Sequence, residues 1–128
     1  MKSAKTLMKK NLVKVSPEDP ILEAYRLMYL KNIRHLPVFD GDTLVGMLSD
    51  RDIQRAMVVN KTDDLNLEVF LSSGRKVEEY MSWPIFTVMD AQPLGFIIEE
   101  MINRKISAVL VQNNSFEYVG IITTEDIM

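Results

Sequence analysis

Two short segments carry the residue types that can do chemistry. Gly46-Met47-Leu48-Ser49-Asp50-Arg51-Asp52 and Gly120-Ile121-Ile122-Thr123-Thr124-Glu125-Asp126 both read Gly-x-x-(Ser/Thr)-x-x-Asp. Glycine lets a second group come close to the backbone. The Ser or Thr opens a helix, where free N–H groups and the helix dipole favour a phosphate. Its hydroxyl adds one more hydrogen bond. The aspartate three residues on is an ionised acceptor suited to two sugar hydroxyls. The same spacing also has a purely structural reading, because Ser/Thr-x-x-Asp is an acidic variant of the helix-capping box. The two readings are compatible, since a capping hydroxyl sits at the mouth of its helix.

Other chemistries find little support. The chain has no cysteine, which removes disulfides, thiolate catalysis and Cys-based metal sites. His35 is the one histidine, so a His-rich metal site is excluded. A Ser–His hydrolase would rest on His35 alone, on a predicted strand with no nucleophile elbow nearby. Glu99 and Glu100 are neighbours on a predicted helix and point apart, so they are no catalytic dyad. No catalytic or metal-binding residue is assigned, and no cofactor is expected. The formal charge of -3 argues against a duplex nucleic-acid binder. Lys2, Lys5, Lys9, Lys10 and Lys14 read as a solvated basic end. No apolar run approaches the ~18 residues of a membrane span, and the start lacks the apolar stretch of a signal peptide. A cytoplasmic protein is expected.

The elements that must position the two segments are themselves written twice. At an offset of 73, Met8 meets Met81, Val15 meets Val88, Pro20 meets Pro93, Met28 meets Met101 and Val38 meets Val111. One residue inserted near Glu117 moves the offset to 74, after which Gly46 meets Gly120 and Asp52 meets Asp126. Each copy opens with a β-rich run, Leu12 to Val15 or Ile85 to Val88. Pro20 and Pro93 stand where a helix begins. Ile21, Ala24, Tyr25 and Met28, like Leu94, Ile97, Ile98 and Met101, recur at helical spacing. Strands are expected over 33–39 and 106–111, then over 44–48 and 118–122, joined by polar turns as hairpins. A last helix opens at Ser49 or Thr123.

The fold class is therefore α/β (α+β), two β-α-β-β-α repeats packed with pseudo-twofold symmetry. One copy is too small to bury both faces of its sheet, so a single shared core is expected. The boundaries are 1–58 for the first repeat, 59–76 for a linker and 77–128 for the second. Leu65, Leu67, Val69, Phe70 and Leu71 of the linker are expected to fold back onto the repeats. Copy one has room for a full final helix through Met57, whereas copy two is expected to lack most of its counterpart.

With this pattern the chain resembles a tandem CBS-domain pair, the Bateman module. The hallmark segments quoted above carry the resemblance, together with Arg34-His35-Leu36-Pro37-Val38 and Ser107-Ala108-Val109-Leu110-Val111. The resemblance implies a regulatory module rather than an enzyme. It implies AMP, ADP, ATP or S-adenosylmethionine as regulatory ligand, a homodimer, and an unidentified enzyme, channel or transporter as the regulated partner. A ligand-free dimerisation or interaction module is the alternative. The resemblance also implies two clefts. One would use Ile85, Phe86, Ser107 and Ala108 with Met47, Ser49 and Asp52. The other would use Leu12, Val13, Arg34 and His35 with Ile121, Thr123 and Asp126. Lys14 against Thr87, and Arg34-His35 against Ser107-Ala108, make these sites chemically unequal. The Arg34–His35 site suits the more anionic ligand.

Overall fold

A computed structural model describes residues 2–59, 74–83 and 85–127. The chain divides into two compact units. The Asp52 unit comprises Val13–Pro84, and the Asp126 unit joins Met1–Leu12 to Ile85–Met128. Each repeat's body is thus completed by the segment that precedes the other repeat. The expected linker lies outside the described residues except for Val59 and 74–76. This includes Leu65, Leu67, Val69, Phe70 and Leu71.

The Asp52 unit contains α2 (Ile21–Lys31), β1 (His35–Asp40), β2 (Thr43–Ser49), α3 (Asp50–Val59) and a single 3-10 turn at Val77–Glu79. The Asp126 unit contains α1 (Ala4–Leu7), β3 (Thr87–Met89), α4 (Leu94–Arg104), β4 (Ala108–Gln112), β5 (Tyr118–Thr123) and the short α5 (Thr124–Ile127). The helices begin directly after Pro20 and Pro93. They bury Ile21, Ala24 and Met28 in one case and Ile97 and Met101 in the other, the faces the helical spacing marks. Both end on a left-handed residue, Asn32 at φ 52° and Lys105 at φ 56°. The N–H of Ile33 then reaches the Met28 carbonyl and that of Ile106 the Met101 carbonyl, closing each helix in a Schellman arrangement.

The hairpins form as expected. β1 and β2 are antiparallel with Leu36 opposite Leu48, and β4 and β5 with Val109 opposite Ile122. Both carry a register shift at the same place in the repeat, between Val38 and Phe39 and between Val111 and Gln112.

The opening strands differ between copies. In the Asp126 unit, β3 pairs parallel with β4 and makes a three-stranded sheet, beginning at Thr87 rather than Ile85. In copy one the expected strand Leu12–Val15 shrinks to one bridge between Val15 and Val38. Pro37 supplies the reason. The Leu110 N–H donates to the Phe86 carbonyl at 3.2 Å. Its counterpart, Pro37, has no N–H to offer Val13, and the parallel ladder stops there.

Among the described residues, each unit holds a cluster of buried apolar residues. The Asp52 unit packs Val15, Ile21, Leu36, Leu48 and Ile53 around Val77. The Asp126 unit packs Val88, Ile97, Val109 and Ile122 around Ala4. Full burial of each aliphatic side chain contributes about 1.5–3 kcal/mol. Val77 and Ala4 are completely buried and occupy matched positions in the two arms, the segments 74–83 and 2–12 that precede the repeats, so each body obtains part of its core from the arm it receives.

Candidate functional site

The arms are fixed to the bodies by one pattern of backbone hydrogen bonds used twice. Val77 N–H donates to the Asp19 carbonyl, and Ala4 N–H to that of Gln92. Met47 and Ser82 exchange N–H to carbonyl bonds at 3.0 and 2.8 Å, as Ile121 and Lys9 do at 3.1 and 2.9 Å. These bonds run an arm alongside the strand that leads into each hallmark segment. Met47 and Ile121 are buried and their backbone groups are engaged by the arms.

At the end of β2 the chain turns into α3. Ser49 N–H donates to Asp52 Oδ2 at 2.8 Å, and Asp52 N–H donates back to Ser49 Oγ at 3.2 Å. This is a reciprocal capping box with aspartate in the usual place of glutamate. Asp52 is 8% exposed. Its second oxygen, Oδ1, accepts from Ser82 Oγ at 3.1 Å and lies 4.0 Å from Arg55 Nη1. A carboxylate this buried is tolerated because both oxygens are partnered.

The Asp126 unit repeats the arrangement with two changes of chemistry. Thr123 N–H donates to Asp126 Oδ2 at 2.8 Å, and the Thr123 hydroxyl donates to the same oxygen at 3.2 Å. Asp126 Oδ1 faces Lys9 Nζ at 3.5 Å. Lys9 occupies the place that Ser82 holds beside Asp52. Each aspartate therefore caps with one oxygen and turns the other to an arm residue. A surface cavity adjoins each: about 390 Å³ beside Asp52, with Arg55, Glu79, Tyr80 and Ser82, and about 310 Å³ beside Asp126, with Lys2, Thr6, Leu94 and Ile98. An ionised carboxylate has more acceptor positions than its cap uses, so either aspartate can also accept from a hydroxyl pair.

The remaining candidates fall as follows. Met47, Ser49 and Asp52 lie in the Asp52 unit, as do Val13, Arg34 and His35. Ile85, Phe86, Ser107, Ala108, Ile121, Thr123 and Asp126 lie in the Asp126 unit with Leu12. Within the units the hairpins set His35 opposite Ser49 and Ala108 opposite Thr123. The carbonyls of Arg34 and Ser107 accept the N–H groups of Asp50 and Thr124, tying the central strands to the start of α3 and α5. Phe86, a candidate for stacking on a purine, carries the Arg104 guanidinium 4.1 Å from its ring centre. Lys14 lies similarly over Phe39 at 4.4 Å. The hallmark glycines serve a role not foreseen from sequence. A β-carbon on Gly46 would lie 2.6 Å from the Met81 sulfur, and one on Gly120 2.5 Å from the Met8 sulfur. The close approach glycine permits in each body is made by its arm's methionine. Ser82 and Lys9 were missed as neighbours of the aspartates, although each directly follows the methionine of the Met8–Met81 match.

Among the described residues no group of His, Cys, Asp and Glu could hold a metal ion. Among them, too, no helix is long and apolar enough to cross a membrane.

The CBS-domain family profile matches residues 4–59 and 77–128. Among solved structures, the chain is similar to the CBS domain pair of protein MJ0100 in complex with 5'-methylthioadenosine and S-adenosyl-L-methionine. The TM-score is 0.82 and the identity 28%, over 98% of this chain and 92% of that one. CBSX2 in complex with AMP aligns with a TM-score of 0.75 and 26% identity, over 98% and 92% of the two chains. An L-aspartate semialdehyde sulfurtransferase from Methanocaldococcus jannaschii is 32% identical over 99% of this chain, and the chain spans 23% of that protein's length. An inosine-5'-monophosphate dehydrogenase from Thermoplasma acidophilum is 28% identical over the whole chain, which again spans 23% of it. With both repeats matched and the same mixed α/β fold, the chain belongs to the CBS-domain family.

Proposed function

We propose that the chain is a regulatory module that binds adenosine-containing ligands, AMP, ADP, ATP or S-adenosylmethionine, and signals their level to a partner. One observation carries this reading. Two matched aspartates, one in each repeat, are held by their own caps with the second carboxylate oxygen turned to a polar arm residue beside a surface cavity. A fixed carboxylate at the hallmark position of each repeat supports a role in accepting ribose hydroxyls. The ligands of the similar structures, AMP and the methylthioadenosine and S-adenosylmethionine pair, share that ribose. The contacting residues are the two sets named from sequence: Ile85, Phe86, Ser107, Ala108, Met47, Ser49 and Asp52, and Leu12, Val13, Arg34, His35, Ile121, Thr123 and Asp126.

The reading assigns no catalytic role to the chain. Relatives that match along all of it include enzymes of which it spans about a quarter, and regulation of such a catalytic partner, in the cytoplasm and as a homodimer, is the form proposed. The alternative, a ligand-free dimerisation or interaction module, draws on the completeness of the caps without any ligand.

Thermal unfolding with AMP, ATP and S-adenosylmethionine separates the two. Ligand at a hundred times its Kd stabilises the folded state by about 2.7 kcal/mol, so the midpoint should rise, and less so in Asp52→Ala or Asp126→Ala. A panel that gives neither a shift nor calorimetric heat decides for the ligand-free module.

A further inference from the structure

The two aspartates are alike in geometry and unlike in charge. Asp52 has Ser82 on its second oxygen, and its charged neighbours are Arg55 at 4.0 Å and Glu79 on the wall of the same cavity. By formal charge these three groups sum to one negative charge. Asp126 has Lys9 at 3.5 Å and Lys2 on the wall of its cavity. By formal charge these three groups sum to one positive charge.

Lys9 is well suited to act on a ligand as well as on Asp126. Its side chain is 55% exposed, against 10% for that of Asp126. Its ammonium has three donors, and the carboxylate oxygen takes one. Held 3.5 Å from Asp126, its charge would attract a phosphate on a nucleoside whose ribose hydroxyls meet that carboxylate. Ser82, short and neutral, offers no such attraction beside Asp52.

We propose that Lys9 is the specificity-determining residue of the Asp126 site, selecting adenosine ligands that carry a phosphate, while Ser82 leaves the Asp52 site to ligands that lack one. This rests on the reading of the chain as an adenosine-ligand sensor and adds which ligand class each aspartate takes.

The test compares AMP with adenosine, which differ only in the phosphate, by titration calorimetry on the full chain and on Lys9→Ser, Lys9→Gln, Lys9→Arg and Ser82→Lys. Loss of a charge-assisted contact is expected to weaken AMP binding roughly tenfold or more relative to adenosine in Lys9→Ser. Lys9→Arg should retain the preference, and added salt should erode it in the wild type. Ser82→Lys should create a second AMP-preferring site. Lys9→Gln keeps the length of the side chain and serves as the readout if Lys9→Ser does not fold. An unchanged ratio of AMP to adenosine affinity in both neutral variants, or an equal loss for both ligands, overturns the role of Lys9 alone. Failure of the wild type to bind AMP or ATP overturns the Lys9 assignment, and failure to bind adenosine and S-adenosylmethionine as well overturns the sensor reading itself.

Discussion

Met81 lies in the space that any side chain at residue 46 would need, its sulfur 2.6 Å from the position of a β-carbon on Gly46. Met8 stands in the same relation to Gly120 at 2.5 Å, but there the Lys9 carbonyl oxygen is also only 3.0 Å away. A methionine side chain can swing aside, whereas a carbonyl bonded to Ile121 N–H cannot do so without losing that bond. Gly46→Ala is therefore expected to destabilise by about 1 kcal/mol and Gly120→Ala by about 2–3 kcal/mol, the range for overpacking a tight site. Urea unfolding measures both. Met81→Ala should cancel much of the Gly46→Ala penalty in a double-mutant cycle. Additive effects would show that the methionine does not make the glycine necessary.

Much of this architecture was legible because repetition doubles every local signal. Pro20 and Pro93 marked two helix starts, and Met28 and Met101 two buried helix faces. The caps at both hallmark aspartates were legible too. The unit boundaries were less so. Periodicity shows that Ala4 and Val77 are equivalent, but it does not say which body either one packs into. That is set by long-range backbone bonds such as those between Lys9 and Ile121. The short opening strand of copy one was missed for a different reason. Leu12 to Val15 has strand-forming residues, and the obstacle sits on the facing strand at Pro37.

The caps make a prediction about stability that differs between oxygens. Ser49→Ala removes the acceptor of one N–H at the start of α3 and should cost about 1 kcal/mol. Asp52→Ala removes the acceptor of both Ser49 N–H and the Ser82 hydroxyl at a buried position, and about 2–4 kcal/mol is expected. Asp52→Asn keeps one acceptor oxygen and should fall between them. Chemical denaturation of the three variants gives the order directly, and an equal loss in all three would contradict the division of labour between Oδ1 and Oδ2.

Pro37 and Leu110 hold the same place in the two repeats with opposite consequences. Leu110→Pro deletes the N–H that bonds the Phe86 carbonyl, in a buried strand. Its expected cost is about 3 kcal/mol or more. Pro37→Leu supplies an N–H where the ladder now stops. Hydrogen exchange should then show a protected amide at residue 37, with Val13 as acceptor. An amide at residue 37 that exchanges as fast as those of the exposed turn at Gly41 would mean that something other than the missing donor ends the strand.

Lys105 offers the converse experiment, in which a local strain is removed. It ends α4 at φ 56°, a conformation that places its β-carbon close to the backbone, while the matched Asn32 is a residue type that accepts it more readily. Glycine has no β-carbon to crowd, so Lys105→Gly is expected to stabilise by about 0.5–1 kcal/mol even after the added freedom of the unfolded chain is counted. Lys105→Asn should give a smaller gain, and Lys105→Val a loss, because a branched β-carbon fits the left-handed region worst. Thermal melts of the three variants test the series. The position is exposed, so no change in core packing competes with the backbone effect, and a ranking with valine above glycine would rule out backbone strain as the cause.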